Sequence, residues 1–270
     1  MEAHATPYSF QLLTAHCSPL TAYCLIMSVE YRVEGSGSPF VYVCGIEGSG
    51  RLFYKQAEDL ARDHRIITMP LRPEGRYEMS RLVEDLAWVV RDAGAVGATV
   101  LGESFGGLLT MATALAHPEL FGRLILLNTF PHFSQRAKIS LGCILFAAFY
   151  PMMKAHRTRA ARHVLFSPDV SEEDRRRFRE HTRVVGREGY VSRMRIIRDT
   201  DLRPRLREIK APALVVAGTA DRLLDSVGAA RLMASSMPRA RLKLLEGTGH
   251  VALLSGRVRV RQWLEEFDEF

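Results

Sequence analysis

The stretch Gly97-Ala98-Thr99-Val100-Leu101-Gly102-Glu103-Ser104-Phe105-Gly106-Gly107-Leu108-Leu109-Thr110 changes its hydrophobic period halfway along. Ala98 to Leu101 is a short apolar run that predicts a strand. From Phe105 apolar residues recur at helical spacing through Leu115, until Pro118 ends the pattern. Between them lies Gly102-Glu103-Ser104-Phe105-Gly106, a G-x-S-x-G at a strand-to-helix corner. A turn this sharp needs its glycines to avoid clashes with the flanking strand and helix, and it holds the serine hydroxyl outward at the end of a sheet. Gly107 allows the helix to start close to that sheet. The five residues alone would also suit an ordinary turn; the strand before and the helix after give them their weight.

Outward from this corner, strands and helices alternate. Ser28 to Val33 and Phe40 to Cys44 read as two strands joined by the turn-rich Glu34-Gly35-Ser36-Gly37-Ser38-Pro39, which predicts a hairpin. Leu52 to Arg62 is helical by pattern, Ile66 to Met69 is a strand, and Glu78 to Ala93 is a strongly amphipathic helix with Gly94 as its stop. Leu124 to Leu127 is a further apolar strand after the corner helix. Alternation then pauses from His132 to Lys210, where Ile139 to Tyr150, Glu172 to Arg183 and Tyr190 to Ile197 all read as helices. It resumes with a strand at Ala213 to Ala217, a helix at Asp225 to Ser236, a strand at Arg241 to Leu245 and a closing helix at Val258 to Phe267.

Such alternation predicts an α/β fold, a mostly parallel twisted sheet with helices on both faces. The all-helical block is expected to be a cap over the carboxyl ends of the strands, where open α/β sheets bind ligands. The expected organisation is a core of residues 27–131 and 206–270, a helical cap of 132–205, and residues 1–26 as either a disordered arm or an extension ahead of a functional start at Met27.

Composition narrows the classes. With 270 residues, 47% of them hydrophobic, the chain can bury a substantial core. No apolar run approaches the length of a membrane span, and the first 26 residues hold neither Lys nor Arg, so a secretory signal is not expected and a cytoplasmic location is. Cys17, Cys24, Cys44 and Cys143 lack the paired spacing of a zinc site or a disulfide framework, so reduced thiols and no metal are expected. Residues 131–210 carry 19 Lys/Arg against 9 Asp/Glu, which leaves the rest of the chain slightly acidic although the whole is +7. No nucleic-acid recognition module accompanies this basic block, so nucleic acid is not an expected partner. The loop Gly45-Ile46-Glu47-Gly48-Ser49-Gly50 gives neither G-x-x-x-x-G-K-[ST] nor G-x-G-x-x-G, which argues against a nucleotide cofactor; no cofactor is expected.

A serine hydroxyl needs a base to take its proton and a carboxylate to orient that base. Asp221 follows the strand Ala213 to Ala217, in Gly218-Thr219-Ala220-Asp221, and His250 follows the strand Arg241 to Leu245, in Gly247-Thr248-Gly249-His250. In a parallel sheet these loops emerge at the same edge as Ser104. Asp225 competes as the acid, but its place before an apolar-periodic run suits a helix N-cap better.

The elbow Gly102-Glu103-Ser104-Phe105-Gly106-Gly107, the segment Ile209-Lys210-Ala211-Pro212 to Asp221 and the ending Gly247-Thr248-Gly249-His250 together resemble the α/β-hydrolase superfamily over about residues 28–268. The resemblance implies Ser104 as nucleophile, His250 as general base, Asp221 as its orienting acid, and the backbone N–H groups of Ile46 and Phe105 as the oxyanion hole. Many members carry His-Gly where this chain has Cys44-Gly45; backbone acts there, so activity is still expected. The glycine-rich loop taken with the elbow looks most like the branch that includes plant phytyl ester synthases and related lipid acyltransferases.

The expected function is therefore a serine hydrolase that cleaves a small-molecule carboxylic ester or thioester through an acyl-enzyme. The alternatives are acyl transfer to an alcohol, amine or thiol, and a non-catalytic ligand-binding protein on the same scaffold. The apolar helix Ile139 to Tyr150 either lines an acyl pocket or packs on the core, and the basic exterior suits an anionic acyl carrier or lipid surface. Glu47 and Glu103 flank the site, where the alternatives are that they tune it or, the preferred reading, that they are solvent-facing or structural; the arginines of the block are expected to form a solvated face.

Overall fold

A computed structural model describes residues 29–148, 164–182 and 186–267. The expected arm of residues 1–26, and the end of the expected helix beyond Ala148, lie outside the described residues. The described strands are β1 (Arg32–Glu34), β2 (Ser38–Val43), β3 (His64–Met69), β4 (Ala98–Glu103), β5 (Phe121–Leu127), β6 (Ala213–Gly218) and β7 (Ala240–Leu245). They form one sheet in the order β1-β3-β2-β4-β5-β6-β7, antiparallel only at β1. The helices are α1 (Tyr54–Leu60), α2 (Met79–Asp92), α3 (Phe105–Ala116), α4 (Arg136–Ala148), α5 (Glu172–Thr182), α6 (Arg187–Asp199), α7 (Ser226–Ser236) and α8 (Val260–Phe267).

The hairpin expected between the first two strands does not form, because β3 lies between them. Phe40, Val41, Tyr42 and Val43 are all fully buried. Successive side chains of a strand point to opposite faces, so β2 is covered on both. It takes parallel partners on both edges, β3 and β4, and β1 is displaced to the outside of β3. Positive φ at Gly35 and Gly37 (74° and 108°) lets the connector turn tightly over the residues that precede β3.

The helices bury the stripes their sequences predict. On α2 these are Leu82, Leu86, Val89 and Val90; on α8 they are Val260, Trp263, Leu264 and Phe267. Each large apolar side chain so placed contributes about 1.5–3 kcal/mol. Asp225 caps α7, its carboxylate accepting the N–H of Gly228 at 2.9 Å. Between β5 and β6 the described residues hold α4, α5 and α6 but no strand of the sheet. α4 packs on α6, with Cys143 buried between them, and leaves Leu141, Ile144 and Leu145 on its outer side.

Register decides where function can sit. Val43 lies beside Gly102, Gly102 beside Leu126, Leu127 beside Val216, and Gly218 beside Leu245. The carboxyl ends of β2, β4, β5, β6 and β7 therefore open onto one edge of the sheet.

Candidate active site

Ser104 sits between the last residue of β4 and the first of α3, at φ 54° and ψ −119°. That backbone conformation costs a side-chain-bearing residue about 1–3 kcal/mol, and the surroundings enforce it. The N–H of Ser104 donates to Leu127 O at 2.9 Å, and its carbonyl accepts the hydroxyl of Thr129 at 2.6 Å and the N–H of Gly107 at 3.0 Å. The flanking glycines are a packing requirement. A Cβ at Gly106 would lie 2.1 Å from Val43 O, and one at Gly102 2.5 Å from Thr110 Oγ1.

From β7, the Nε2 of His250 reaches Ser104 Oγ at 3.0 Å, and its Nδ1 reaches Asp221 Oδ2, beyond β6, at 2.8 Å. Asp221 also accepts the Ser226 hydroxyl and the N–H groups of Leu223 (2.9 Å) and Leu224 (3.1 Å). Burial pushes its pKa up, but hydrogen bonding to His250, the attraction of that imidazole and the Ser226 hydroxyl outweigh burial and hold it below the ordinary carboxylate value. An ionised Asp221 fixes the proton of His250 on Nδ1 and leaves Nε2 as the acceptor facing Ser104. Asp225, the rival acid, is occupied in capping α7 instead.

Phe105 follows Ser104 directly, and Ile46 lies in the loop after β2. Phe105 opens α3, where an N–H has no acceptor within the helix. Ile46 lies in the turn Gly45 to Gly48, closed by Gly48 N–H to Gly45 O at 3.0 Å. A Cβ at Gly45 would be 3.6 Å from Ser104 Cβ, so this turn is close against the corner at Ser104. Cys44 is buried in the core at its foot.

A cavity of about 310 Å³ opens in front of Ser104 and His250. The core contributes Ile46, Leu52, Leu223 and Val251 to its wall, and the helical insertion contributes Leu165, Phe178 and Tyr190. Among the described residues none of α4 is in its wall, and the buried side of α4 packs on α6; the side chains beyond Leu145 lie outside the described residues, and that part of the pocket-lining reading with them. The insertion and the histidine loop are also bonded directly, through Gly249 N–H to Ser167 Oγ at 2.9 Å and Val251 N–H to Leu165 O at 3.0 Å.

Two participants, Asn128 and Arg193, escape a reading of motifs alone, and Glu103 takes the structural one of its expected roles. Glu103 is not solvent-facing but 4% exposed, and accepts the Tyr42 hydroxyl at 2.7 Å. Burial first, and then the charge of Glu47, raise its pKa to about 7, against the Tyr42 hydroxyl and His250, which lower it. Asn128, at the end of β5, is fully buried and spans two of the functional loops. Arg193 of α6 departs from the expected solvated face, for it is 1% exposed. Its signal was its spacing, since Gly189, Ile196 and Ile197 share one helical stripe with it.

No group of three or more His, Cys, Asp or Glu among the described residues is arranged to hold a metal ion. No described helix is long and apolar enough to cross a membrane.

The model of the α/β hydrolase fold family matches residues 38–256. RutD from Rhizobium rhizogenes, provisionally named a carbamate hydrolase, is 28% identical over 240 residues, covering 82% of this chain and 90% of its own. A pimeloyl-(acyl-carrier protein) methyl ester esterase from Nitrosomonas europaea is 25% identical and covers 84% and 94%. Among solved structures, an esterase from Exiguobacterium antarcticum is similar with a TM-score of 0.79 at 22% identity, over 90% of this chain and 96% of that one. With its sheet order, its elbow and a family match over most of its length, the chain belongs to the α/β-hydrolase fold family.

Proposed function

We propose that the protein is a serine hydrolase that cleaves a carboxylic ester or a closely related acyl compound through an acyl-enzyme. The observation that carries this is the unbroken hydrogen-bonded chain from Asp221 through His250 to Ser104, at 2.8 and 3.0 Å. In this reading His250 Nε2 takes the Ser104 proton as Oγ attacks the substrate carbonyl carbon. The carbonyl π electrons move to oxygen, and the N–H groups of Ile46 and Phe105 stabilise that oxyanion. Collapse expels the leaving group, which receives the proton from His250. Water, deprotonated by the same nitrogen, then releases the acid and restores Ser104.

The helical insertion acts as the cap in this scheme. Its Leu165, Phe178 and Tyr190 face the mainly apolar cavity, which suits a small or medium acyl group. The names of the relatives, a methyl ester esterase and a provisional carbamate hydrolase, also denote acyl substrates. A basic insertion outside the cavity suits an anionic carrier or surface that presents the acyl chain.

Labelling by a fluorophosphonate probe, with hydrolysis of p-nitrophenyl esters, acyl thioesters and carbamates of graded length, tests the proposal. Ser104→Ala should abolish labelling and lower kcat/KM by about 10⁴-fold or more. Labelling of the variant at the wild-type rate would overturn the assignment. Acyl transfer shares every step up to the acyl-enzyme, and product analysis in the presence of a long-chain alcohol separates the two reactions.

A further inference from the structure

Arg193 is the largest buried cation among the described residues and plays no part in the scheme above. Its guanidinium makes three contacts with neutral acceptors. Nε donates to the carbonyl of Ile46 at 2.8 Å, and Nη1 donates to the carbonyl of Arg72 at 2.9 Å and to the Tyr77 hydroxyl at 2.8 Å. The group lies flat against Gly48, where an added Cβ would be 3.1 Å from Cζ and both terminal nitrogens. Burying a guanidinium costs several kcal/mol, a cost that an apolar side chain of the same volume would avoid. What the arginine offers instead is a rigid fork that holds several carbonyls at once.

One of those carbonyls lies at a soft point. Gly45 to Gly48 form a turn closed by a 3.0 Å hydrogen bond, and the Ile46–Glu47 peptide is its central peptide. In a four-residue turn this is the unit that rotates between turn types while the ends stay fixed. The Ile46 carbonyl and the N–H assigned to the oxyanion flank the same Cα. Rotation of the central peptide alone leaves that N–H in place, whereas a displacement of Ile46 Cα moves both groups, and the Arg193 bond holds that Cα from the carbonyl side. The end of the turn is pinned by Leu71 N–H to Gly48 O at 2.8 Å, and its start lies against Ser104, so the Arg193 contact restrains the remaining freedom.

The restraint comes from the insertion. α6 is seated on the loop between β3 and α2 through Gly189 N–H to Pro73 O (3.1 Å), Ser192 Oγ to Gly75 O (3.1 Å) and the Tyr77 hydroxyl to Gly189 O (3.0 Å). The approach is close, for a Cβ at Gly189 would lie 2.4 Å from Arg72 O. Tyr190 on the same helix lines the cavity, so a bound acyl group and the turn are linked through one helix.

We infer that Arg193 is a positioning residue: from α6 of the insertion it fixes the turn that carries the Ile46 N–H, so the oxyanion pocket is complete only while that helix is seated on the core. This rests on the reading of Ser104 as nucleophile and Ile46 as oxyanion donor.

Kinetics with p-nitrophenyl butyrate, together with binding of butaneboronic acid and of butyramide, test it. The boronic acid forms a tetrahedral adduct on an active serine, whereas butyramide stays planar. Loss of one oxyanion donor costs about 10²–10³-fold in kcat, so a displaced donor should cost about tenfold or more. Arg193→Lys and Arg193→Gln should lower kcat and boronate affinity together by that factor, with KM and butyramide affinity within about threefold. Gly189→Ala, which lifts α6 without touching Ser104 or the turn, should show the same split. Arg261→Ala breaks the bonds of α8 to Asp59 and Asp63 and touches neither α6 nor the turn, so it should lower Tm without the split.

The inference is overturned if the Arg193 and Gly189 variants behave as Arg261→Ala does, or if boronate and butyramide affinities fall equally. Wild type and Ser104→Ala run alongside distinguish the two levels. Absence of a boronate adduct in wild type, or its persistence in Ser104→Ala, removes the serine reading itself. Normal behaviour of that pair with no split in the Arg193 variants removes only the positioning role.

Discussion

The side-chain amide of Asn128 donates to the carbonyl of His250 at 2.7 Å and to that of Gly249 at 3.1 Å, while its oxygen accepts the N–H of Gly218 at 2.7 Å. One buried residue thus ties the histidine loop to the end of the strand that leads to Asp221. Asn128→Ala strands two buried carbonyls and one N–H, each worth about 1–3 kcal/mol when left unsatisfied. Urea unfolding should show a loss of about 3 kcal/mol or more. Misplacement of His250 by even 1 Å costs on the order of 10²-fold, so kcat for an ester should fall well beyond tenfold. Unchanged kcat would mean that the loops hold themselves.

Two aspartates four residues apart should separate cleanly. Asp221→Asn keeps the shape of the site but lets His250 hold its proton on Nε2, which should lower kcat by about 10³–10⁴-fold with little change in Tm. Asp225→Ala removes the cap of α7, costing about 1 kcal/mol of stability and leaving kcat near wild type. The opposite pattern in paired kinetic and melting measurements would transfer the role of acid to Asp225.

Strain at Ser104 should be measurable against its own replacements. At φ 54° and ψ −119°, alanine retains the steric cost and glycine does not. Relief of about 1–3 kcal/mol exceeds the extra chain entropy that glycine loses, about 0.5–1 kcal/mol. Ser104→Gly should therefore be more stable than Ser104→Ala by about 1 kcal/mol in urea unfolding, both variants being inactive. Equal stabilities would show that the elbow stores no strain.

Glu103 should leave a mark on stability against pH. Its pKa rises from 4.5 to about 7 on folding, chiefly through burial and then through the Glu47 charge. Between those values the folded state keeps a proton that the unfolded chain has released, so stability is fully present below pH 4.5 and is lost as pH rises through 7. The loss is on the order of 3 kcal/mol. Glu103→Gln preserves an acceptor for Tyr42 and removes the titration. Unfolding measured from pH 4.5 to 8 should show the wild-type curve falling relative to the variant; parallel curves would refute the assignment.

Much of the architecture is written in short-range patterns. The strand before Ser104, the helix after it and the glycines around it are each specified within a dozen residues, because a change of hydrophobic period and a missing Cβ act locally. The preference for Asp225 as a cap is equally local, and the 2.9 Å bond to Gly228 accounts for it. The connector Glu34 to Pro39 reads as a hairpin for the same reason, since its composition reports a turn but not which strand lies between the two it joins.

From sequence alone came the class of sheet, the corner at Ser104 and the strand ends that bear Asp221 and His250. Tertiary structure decided that these side chains meet at 2.8 and 3.0 Å, that Asn128 joins their loops, and that Arg193 turns inward to the Ile46 carbonyl. Periodicity and turn chemistry are properties of neighbours in the chain. A buried polar group is defined by the acceptors that surround it, and those of Asn128 and Arg193 lie about 90 to 150 residues away.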